Sequence, residues 1–329
     1  MTKGDETTPA TTPAVVTALP LAVPLKGFAP SERVHVIVVG AGGTGGRTLL
    51  LLPRLLRAGD VVSIVDPDVV EHKNLARQHF HPADVGRAKA QVAAERLAAV
   101  APEGLTVIPH VGTFQKLSMQ VVDSAMAHVQ RETLMIGGVV APRDLKATVL
   151  LGGVDNRAAR VSMGDFFTTC GRCAWIDAGN DFQTGQVCLN LFKWPLETPT
   201  ITDAERVVMA QKYPGVNTSY PWLATQSGAV LQTESGVILR GSALCFPDTL
   251  DELKDADDAA LSCVGFDLQS VGANALAATY TGNMLRWLLD GEVIRVMAIM
   301  FSTIGGASTF PIMDAVLRPG TRHVTLIGR

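Results

Sequence analysis

A short apolar segment that runs directly into a glycine-rich turn constrains the fold of this chain more than any other feature. Val34–Val39 reads VHVIVV, which is typical of a buried β-strand, and the turn after it contains Gly40, Gly42, Gly43 and Gly45. Glycines let backbone N–H groups approach phosphate oxygens, and the helix that follows presents its N-terminus to the same anion. The sequence therefore predicts a strand–turn–helix unit that binds a nucleotide phosphate. The turn alone suits NAD or FAD as well as ATP.

The rest of the chain continues this alternation of strands and helices. A Leu-rich helix is predicted over Thr44–Ala58, with Pro53 expected to kink it or shift its start, and a second buried strand over Val61–Val65. The later helices are predicted at 86–100, 117–130, 156–169 and 270–289, and the later strands at 105–109, 147–152, 174–176, 185–191, 236–240, 293–301 and 307–313. We expect an α/β, Rossmann-like, doubly wound fold: a largely parallel sheet continued by antiparallel strands, with helices on both faces.

Composition indicates how the chain is organised. Hydrophobic residues make up 47% and charged residues 18%, which is enough for a substantial core. We expect a disordered Thr/Pro-rich tail over 1–30 and a nucleotide-binding domain over 31–180, with an insertion near 131–146. The C-terminal part of the same fold would cover 181–329, with a crossover segment, the helix at 270–289 and antiparallel strands.

Charge and cysteine content exclude several classes of function. The net charge of −3 provides no basic surface for nucleic acid or for an anionic membrane. No run of about 18 uninterrupted apolar residues predicts a membrane span, and Pro20 and Pro24 interrupt the apolar part of the tail, which argues against a signal peptide. Five cysteines, an odd number spaced unevenly, favour reduced thiols in the cytoplasm.

Polar residues follow two of the predicted strands. Asp66 follows the second strand, 21 residues after Gly45, where an acid accepts hydrogen bonds from the ribose hydroxyls of NAD and ATP alike. Asp155 and Asn156 follow the fourth strand, at the edge where ligands of doubly wound sheets gather. The carboxylate of Asp155 can hold Mg²⁺ against phosphate oxygens, and it can equally cap the helix that follows.

The cationic and amide residues between these acids favour a triphosphate over a nicotinamide. Arg77 can grip two phosphate oxygens in a fork, whereas Lys89 acts as a point charge. Asp68, Asn74 and Gln78 lie in the same stretch. The alternative is a solvated loop followed by an ordinary helix surface. We interpret the whole series as suited to transferring a nucleotide to a carboxylate rather than to transferring a hydride.

Five motifs in this order resemble the ThiF/MoeB/HesA superfamily of ubiquitin-activating-like adenylyltransferases. They are a GxGGxG turn, a DxD pair, an NLxRQ segment, a DVGxxKA helix start and a DN pair. The resemblance covers Val34 to about Asn180 well, and continues more weakly through Leu261–Cys263 and the helix at 270–289. It is strongest to stand-alone bacterial ThiF-type proteins, including those of PRTRC gene systems.

The resemblance implies that MgATP activates the C-terminal carboxylate of a ubiquitin-like or sulfur-carrier protein. The carboxylate attacks the α-phosphate, pyrophosphate leaves and an acyl-adenylate forms. Arg77 and Lys89 would offset the repulsion between the two anions, and Asp155 would hold Mg²⁺ for the same purpose. Asp66 would fix the ribose, while Asp68, Asn74 and Gln78 would support nucleotide or metal. Relatives are commonly homodimers, so we expect one here.

The cysteines are candidates for acyl transfer and for zinc binding. Cys263 occupies the place where some relatives carry a cysteine that receives the acyl group as a thioester or acyl disulfide; the alternative is a small buried residue. Cys188 and Cys245 are weaker candidates. The single CxxC pair, Cys170 and Cys173, lies in the nucleotide domain rather than where the family places zinc, so zinc is not expected.

Three other functions remain open at this point. A superfamily member can adenylate a peptide or a tRNA-linked carboxylate, although near-neutral charge disfavours tRNA. A scaffold subunit of an activating complex would bind its partner without catalysis. A nicotinamide oxidoreductase is the third. Residues 1–33 also lack the RYxRQ-like segment from which relatives supply an arginine to the partner subunit, and Arg33 and Arg47 are the available substitutes.

Overall fold

A computed structural model describes the folded parts of the chain. The described residues are 23–24, 26–28, 32–135, 145–194, 230–233, 236–240, 270–294, 296–311 and 325–326. Cys245 and Cys263 lie outside these ranges, so the predictions made for them stay predictions. The expected insertion is bordered by a helix that runs to Met135 and a strand that starts at Leu145, which leaves 136–144 between them.

Strands and helices alternate along the first half of the chain, as predicted. The helices are α1 (Gly43–Leu49), α2 (Leu52–Leu55), α3 (Lys89–Val100), α4 (Phe114–Met135), α5 (Arg157–Thr169) and α6 (Val271–Asp290). The strands are β1 (Val23–Pro24), β2 (Arg33–Val39), β3 (Val61–Asp66), β4 (Thr106–Val111), β5 (Leu145–Gly152), β6 (Cys173–Asn180), β7 (Thr184–Trp194), β8 (Val230–Thr233), β9 (Gly236–Arg240), β10 (Val293–Ile294), β11 (Val296–Ser302), β12 (Gly306–Pro311) and β13 (Thr325–Leu326).

One large mixed sheet organises these elements. Its strands follow the order β13-β12-β11-β7-β6-β5-β2-β3-β4, and the β8–β9 pair joins the second half of β7. The five strands from β4 to β6 in this order are parallel, whereas β7 and the strands beyond it pair antiparallel. The fold class expected from the sequence is therefore confirmed.

The strand order reverses between β2 and β5. From β2 the chain adds β3 and β4 on one side, then returns to place β5 and β6 on the other. The connections diverge at this point and leave a crevice beyond the carboxyl ends of β2 and β5, which is where ligands of doubly wound sheets bind. The topology therefore places one site near Gly40 and Gly153.

Helices cover both faces of the sheet and bury two apolar clusters. On one face, Leu49 of α1, Leu97 of α3 and Leu285 of α6 pack with alternate residues of β2, including Val36 and Val38. On the other face, residues of α4 and α5 pack with the intervening β2 residues; this cluster includes Ile37, Val39, Val121, Met163 and Phe166. Both sides of β2 are thus apolar, which explains why its sequence is continuously hydrophobic.

The helix predicted after the glycine turn is divided. α1 ends at Leu49, and α2 begins at Leu52 with Pro53 in its first turn. Proline is tolerated there because the first N–H groups of a helix have no intrahelical partner. Gly59, at φ +87°, then reverses the chain toward β3. The predicted effect of Pro53 is confirmed.

The described part of the N-terminal tail is docked on the folded chain. β1 pairs antiparallel with β10, joining Val23 to Ile294. The ring of Phe28 packs edge-on against Trp194, with centroids 5.7 Å apart. The remaining tail residues lie outside the described ranges, and the proposed domain boundaries remain predictions.

Candidate functional site

A polar cleft of about 350 Å³ lies at the point where the strand order reverses. It gathers most of the residues that the sequence assigned to a site. Those lining it are Gly40, Gly42, Gly43, Asp66, Asp68, Asn74, Arg77, Gln78, Lys89, Asp155 and Asn156. Gly45 lies behind the turn rather than in the cleft wall, and Cys263 falls outside the described residues.

The glycines of the turn have different physical functions. Gly40 donates its N–H to Val65 O at 2.8 Å and has φ +91°. Glycine adopts this positive φ readily because it has no Cβ. A Cβ on Gly45 would lie 1.8 Å from Gly40 O, and one on Gly43 would lie 2.3 Å from Asn274 Nδ2. Gly45 therefore permits close packing within the turn, while Gly43 permits contact with α6.

Asp66 holds the turn in place. Its two carboxylate oxygens accept the N–H groups of Ala41 at 2.7 Å and Asp68 at 2.8 Å. Burial raises the pKa of Asp66 above its ordinary value, although these two hydrogen bonds and the charge of Lys89 act in the opposite direction. Asp66 lines the cleft, and each of its oxygens has capacity to accept one further hydrogen bond.

Lys89 is joined to the acid pair by backbone and side chain together. Its N–H donates to Asp68 O, and its Nζ lies 2.9 Å from Asp68 Oδ2, with 8% of the Lys89 side chain exposed against 62% for Asp68. The two segments meet through an antiparallel bridge between Val69 and Ala88. Lys89 opens α3, where a cation opposes the helix dipole. The ion pair with Asp68, rather than the helix dipole, therefore accounts for its position, and Lys89 also lines the cleft, where its positive charge faces any bound anion.

A 3₁₀ turn that ends at Asn74 precedes two further candidates, Arg77 and Gln78. Asn74 is buried, and its Oδ1 accepts the N–H of Glu71 at 2.9 Å, so its side chain shapes the turn. Arg77 and Gln78 follow and line the cleft. The buried Oε1 of Gln78 has no hydrogen-bond partner within the described ranges, which leaves an acceptor for a donor group of a bound ligand.

The structure separates the functions of Asp155 and Asn156. Asn156 is the N-cap of α5, because its Oδ1 accepts the N–H of Ala159 at 2.8 Å. Helix capping, considered for Asp155 from the sequence, therefore belongs to Asn156. Asp155 is exposed at the cleft, where its carboxylate can face a ligand.

Sequence reasoning missed Arg160, which supports the segment that presents Asp155. Its Nη2 donates to Val154 O at 3.0 Å, and its Nε lies 3.3 Å from Asp177 on β6. The negative charge of Asp177 raises the pKa of Arg160 above its ordinary value. The sequence signal for Arg160 is that it is a basic residue near the start of the helix that follows Asp155 and Asn156. Its partners are defined only by the fold.

Residues after β4 were also missed. Gly112, Thr113, Phe114 and Gln115 line the cleft, because β4 ends at the same edge of the sheet as β3. The strand predicted over 105–109 continues further in the structure, where its pairing with β3 extends to Val111. The polar residues beyond it were therefore placed in a connection rather than in the site.

A second cavity, of about 250 Å³, adjoins the cleft. The two share Gly153, Val154 and Asp155 in their walls. The second cavity is otherwise largely polar, with Thr44, Arg160, Asn180, Asp181, Thr184 and Gln186 in its lining. Asp155 thus lies between two spaces, so groups bound in each would meet beside it.

A network of hydrogen bonds connects the glycine turn with the second cavity. Thr44 Oγ1 donates to Asn180 Oδ1 at 2.8 Å and lies 3.1 Å from Asn274 Oδ1. Asn274 Oδ1 also accepts a hydrogen bond from Asn180 Nδ2 at 3.0 Å. Three elements therefore meet at this point: α1, the end of β6 and the first turn of α6.

In the described parts of the chain, no three His, Cys, Asp or Glu side chains are grouped so that they could hold a metal ion. A Mg²⁺ ion at Asp155 would therefore take its other ligands from phosphate oxygens and water. None of the described helices combines the length and apolar character that crossing a bilayer requires.

The fold and cleft define a Rossmann-like α/β protein with a polar site at the reversal of its strand order. The model described as the ThiF family matches residues 19–318. The chain belongs to the ThiF family.

Two curated relatives match shorter parts of the chain. A probable adenylyltransferase/sulfurtransferase MoeZ of Mycobacterium tuberculosis is 48% identical over 73 residues, which is 22% of this chain and 18% of that protein. The human ubiquitin-like modifier-activating enzyme 7 is 42% identical over 82 residues, which is 24% of this chain and 8% of that protein. The chain thus spans less than a fifth of the length of either relative.

Two solved structures resemble the chain at low sequence identity. The crystal structure of E. coli MccB with ATP has 13% identity and a TM-score of 0.49, covering 90% of this chain and 67% of that one. Selenomethionine-labelled PaaA has 15% identity and a TM-score of 0.46, covering 85% of this chain and 64% of that one.

Proposed function

We propose that this protein is an ATP-dependent adenylyltransferase that activates the C-terminal carboxylate of a ubiquitin-like or sulfur-carrier protein. The observation that carries the proposal is the composition of the cleft: a glycine turn, cationic side chains that include Arg77 and Lys89, and the exposed carboxylate of Asp155 line one space. Arg77 and Lys89 match a polyphosphate, and Asp155 matches its magnesium ion. Hydride transfer has no need of this combination.

The residues would act mainly by positioning and by charge. The backbone of the glycine turn would lie against phosphate oxygens, with Asp66 holding that turn through Ala41 and Asp68. Arg77 and Lys89 would stabilise the charge that develops as the carboxylate approaches the α-phosphate. Magnesium at Asp155 would supply further charge neutralisation.

The second cavity supports a reaction in which ATP and the acceptor enter from opposite sides of Asp155. The carboxyl end of the acceptor would reach Asp155 from the side of Thr44 and Asn180, while ATP occupies the larger cleft. Pyrophosphate would then leave from the cleft, and the acyl-adenylate would remain at the shared wall. This arrangement would keep the attacking and leaving groups apart, as an in-line displacement requires.

The choice of acceptor is supported by the names of the relatives. MoeZ is described as an adenylyltransferase/sulfurtransferase, and the human relative as a ubiquitin-like modifier-activating enzyme. The proposal extends to a homodimer in the cytoplasm. Transfer of the acyl group to Cys263 is a further part of it, and that residue lies outside the described ranges.

Two measurements test the proposal. Calorimetry should detect MgATP binding and should not detect NADH binding. Exchange of labelled pyrophosphate into ATP should then depend on a small carrier protein that ends in Gly-Gly, with a carrier truncated by its last two residues as the control. Binding of NADH in place of MgATP would contradict the proposal. MgATP binding without exchange, across a panel of carriers, would favour a scaffold subunit or a different carboxylate.

A further inference from the structure

The CxxC pair has no part in the proposed adenylylation. Cys170 follows the last turn of α5 and is partly exposed, whereas Cys173 begins β6 and is fully buried. Cys173 lies in the apolar cluster that includes Phe167 and Trp175, and Cys170 packs against its edge. Two residues separate the cysteines, and both contact this one cluster, so they lie on the same side of the junction between α5 and β6.

The residue between these cysteines clamps the N-terminal segment. The guanidinium carbon of Arg172 lies 4.2 Å from the ring centroid of Phe28 and 4.5 Å from that of Trp194. Its Nη2 also donates to Lys26 O at 3.2 Å. Arg172 therefore holds the 26–28 segment through two cation–π contacts and one hydrogen bond.

The loop that carries Arg172 is anchored at one end and open at its tip. Strand pairing fixes Cys173 opposite Thr148, and the N–H of Thr148 donates to Arg172 O at 3.0 Å. A Cβ on Gly171 would meet no atom within 4 Å, so nothing packs against the tip of the loop. A change in the position of Cys170 would consequently be taken up by Gly171 and Arg172.

We propose that Cys170 and Cys173 form a dithiol–disulfide site whose oxidation weakens the Arg172 clamp on the N-terminal segment. A disulfide requires specific Cβ–S–S–Cβ geometry, and Cys173 is held by the sheet. Cys170 must therefore move toward it and turn the Gly171–Arg172 peptide. The guanidinium then leaves the faces of Phe28 and Trp194, and cation–π attraction is lost with distance.

The redox step balances with a disulfide as oxidant, for example glutathione disulfide. The Cys170 thiolate attacks one sulfur of glutathione disulfide and forms a mixed disulfide with that glutathione. The other glutathione leaves as a thiolate. The Cys173 thiolate then attacks Cys170 Sγ and releases the second glutathione. Two electrons pass from the protein thiols to the oxidant, and the two thiol protons end on the two released glutathione molecules.

The order of attack follows from the environment of each thiol. The hydrogen bond from Cys173 lowers the pKa of Cys170, whereas burial raises the pKa of Cys173. Cys170 is thus both the more exposed and the more readily ionised thiol, as an attacking cysteine should be. Cys173 is suited to resolve the mixed disulfide from within the protein.

The test uses the full chain treated with reduced or oxidised glutathione. Peptide mass mapping should show a Cys170–Cys173 disulfide after oxidation, and amide exchange in the peptide containing Lys26–Phe28 should accelerate by about tenfold. Cys173→Ala should stop at a glutathione adduct on Cys170, and Cys188→Ala should behave as the wild type. Arg172→Ala should accelerate exchange in the same peptide without oxidant.

Two results would overturn the proposal. In the wild-type chain, glutathione that remains on Cys170 without ring closure, or no reaction at either cysteine, would show that the pair is not a dithiol–disulfide site. If the disulfide forms but amide exchange at Lys26–Phe28 stays unchanged, Arg172 does not couple the redox state of the cysteine pair to the N-terminal segment. Circular dichroism of each variant separates these results from a loss of folding.

Discussion

The Cα of Gly45 packs against the carbonyl oxygen of Gly40 so closely that a Cβ on Gly45 would lie 1.8 Å from that oxygen. The oxygen belongs to backbone, and Gly40 is itself fixed by its N–H bond to Val65 O. Neither atom can move without opening the turn between β2 and α1. The conformation of the candidate phosphate-binding turn therefore depends on the absence of a side chain at residue 45.

Substitution of Gly45 tests this packing. Gly45→Ala should destabilise the protein by about 1–3 kcal/mol, because overpacking forces the backbone to shift. Thermal unfolding measures the change. Gly164→Ala is the matched control: its Cβ would lie at an ordinary 3.7 Å from the Trp175 ring, within α5. That variant should be neutral or slightly stabilised, since alanine favours helix. Equal stability of the two variants would contradict the packing argument.

The ion pair of Lys89 predicts a loss of nucleotide affinity without a large loss of stability. Lys89→Gln removes a cation from the cleft but leaves Asp68, which is mostly exposed and can be solvated. A hydrogen bond to a charged group is worth about 1.5–3 kcal/mol, so MgATP affinity should fall about tenfold to a hundredfold. Lys146, exposed at the amino end of β5 and therefore at the opposite edge of the sheet from the cleft, provides the control Lys146→Gln. Calorimetry that finds equal losses for both variants would argue against a specific role for Lys89.

Removal of Arg160 should affect both stability and turnover. Arg160→Ala leaves Asp177 largely buried without its ion-pair partner, which should cost up to about 3 kcal/mol. It also frees Val154 O and loosens the segment that presents Asp155. A double variant with Asp177→Asn should recover part of the stability but not the position of Asp155. Urea unfolding and exchange kinetics measure the two effects; full recovery of both by the double variant would contradict a positioning role.

The buried His35 should make the free energy of unfolding depend on pH. Burial, with a contribution from His110, lowers the pKa of His35 from 6.5 to about 3, and its Nε2 lies 2.9 Å from Ser63 Oγ. The unfolded chain therefore binds an extra proton between these pH values, and stability is lost as pH falls through that window, by at most about 1.4 kcal/mol per unit. His35→Asn should flatten the decline in unfolding midpoint, whereas His72→Gln, at an exposed site, should not. An unchanged slope in His35→Asn would refute this account.

Several elements could be predicted from local patterns because their causes are local. The VHVIVV segment is apolar on both sides of a strand, and β2 is covered on both faces. Pro53 cannot sit within an uninterrupted helix, and α1 and α2 are separated just before it. Asp66 ends β3 and Asp155 comes shortly after β5, which brings both acids to one edge of a parallel sheet.

Other features depended on partners that a local pattern does not contain. Adjacent Asp155 and Asn156 are both acceptable N-caps by residue type, and only the backbone geometry assigns the cap to Asn156. Arg160 was overlooked because its partners Val154 and Asp177 are defined by the junction of α5, β5 and β6. The extension of β4 beyond Pro109 likewise depends on its pairing with β3.

The amino-acid sequence by itself determined the elements, the glycine turn and the set of polar residues at the strand ends, since these follow from side-chain periodicity and backbone freedom over short distances. Tertiary structure alone decided how those residues are used. Thr44 and Asn274 are 230 positions apart, yet they meet beside the glycine turn because α6 packs across α1. Contacts between such distant residues depend on strand order and helix packing, which the whole chain establishes together.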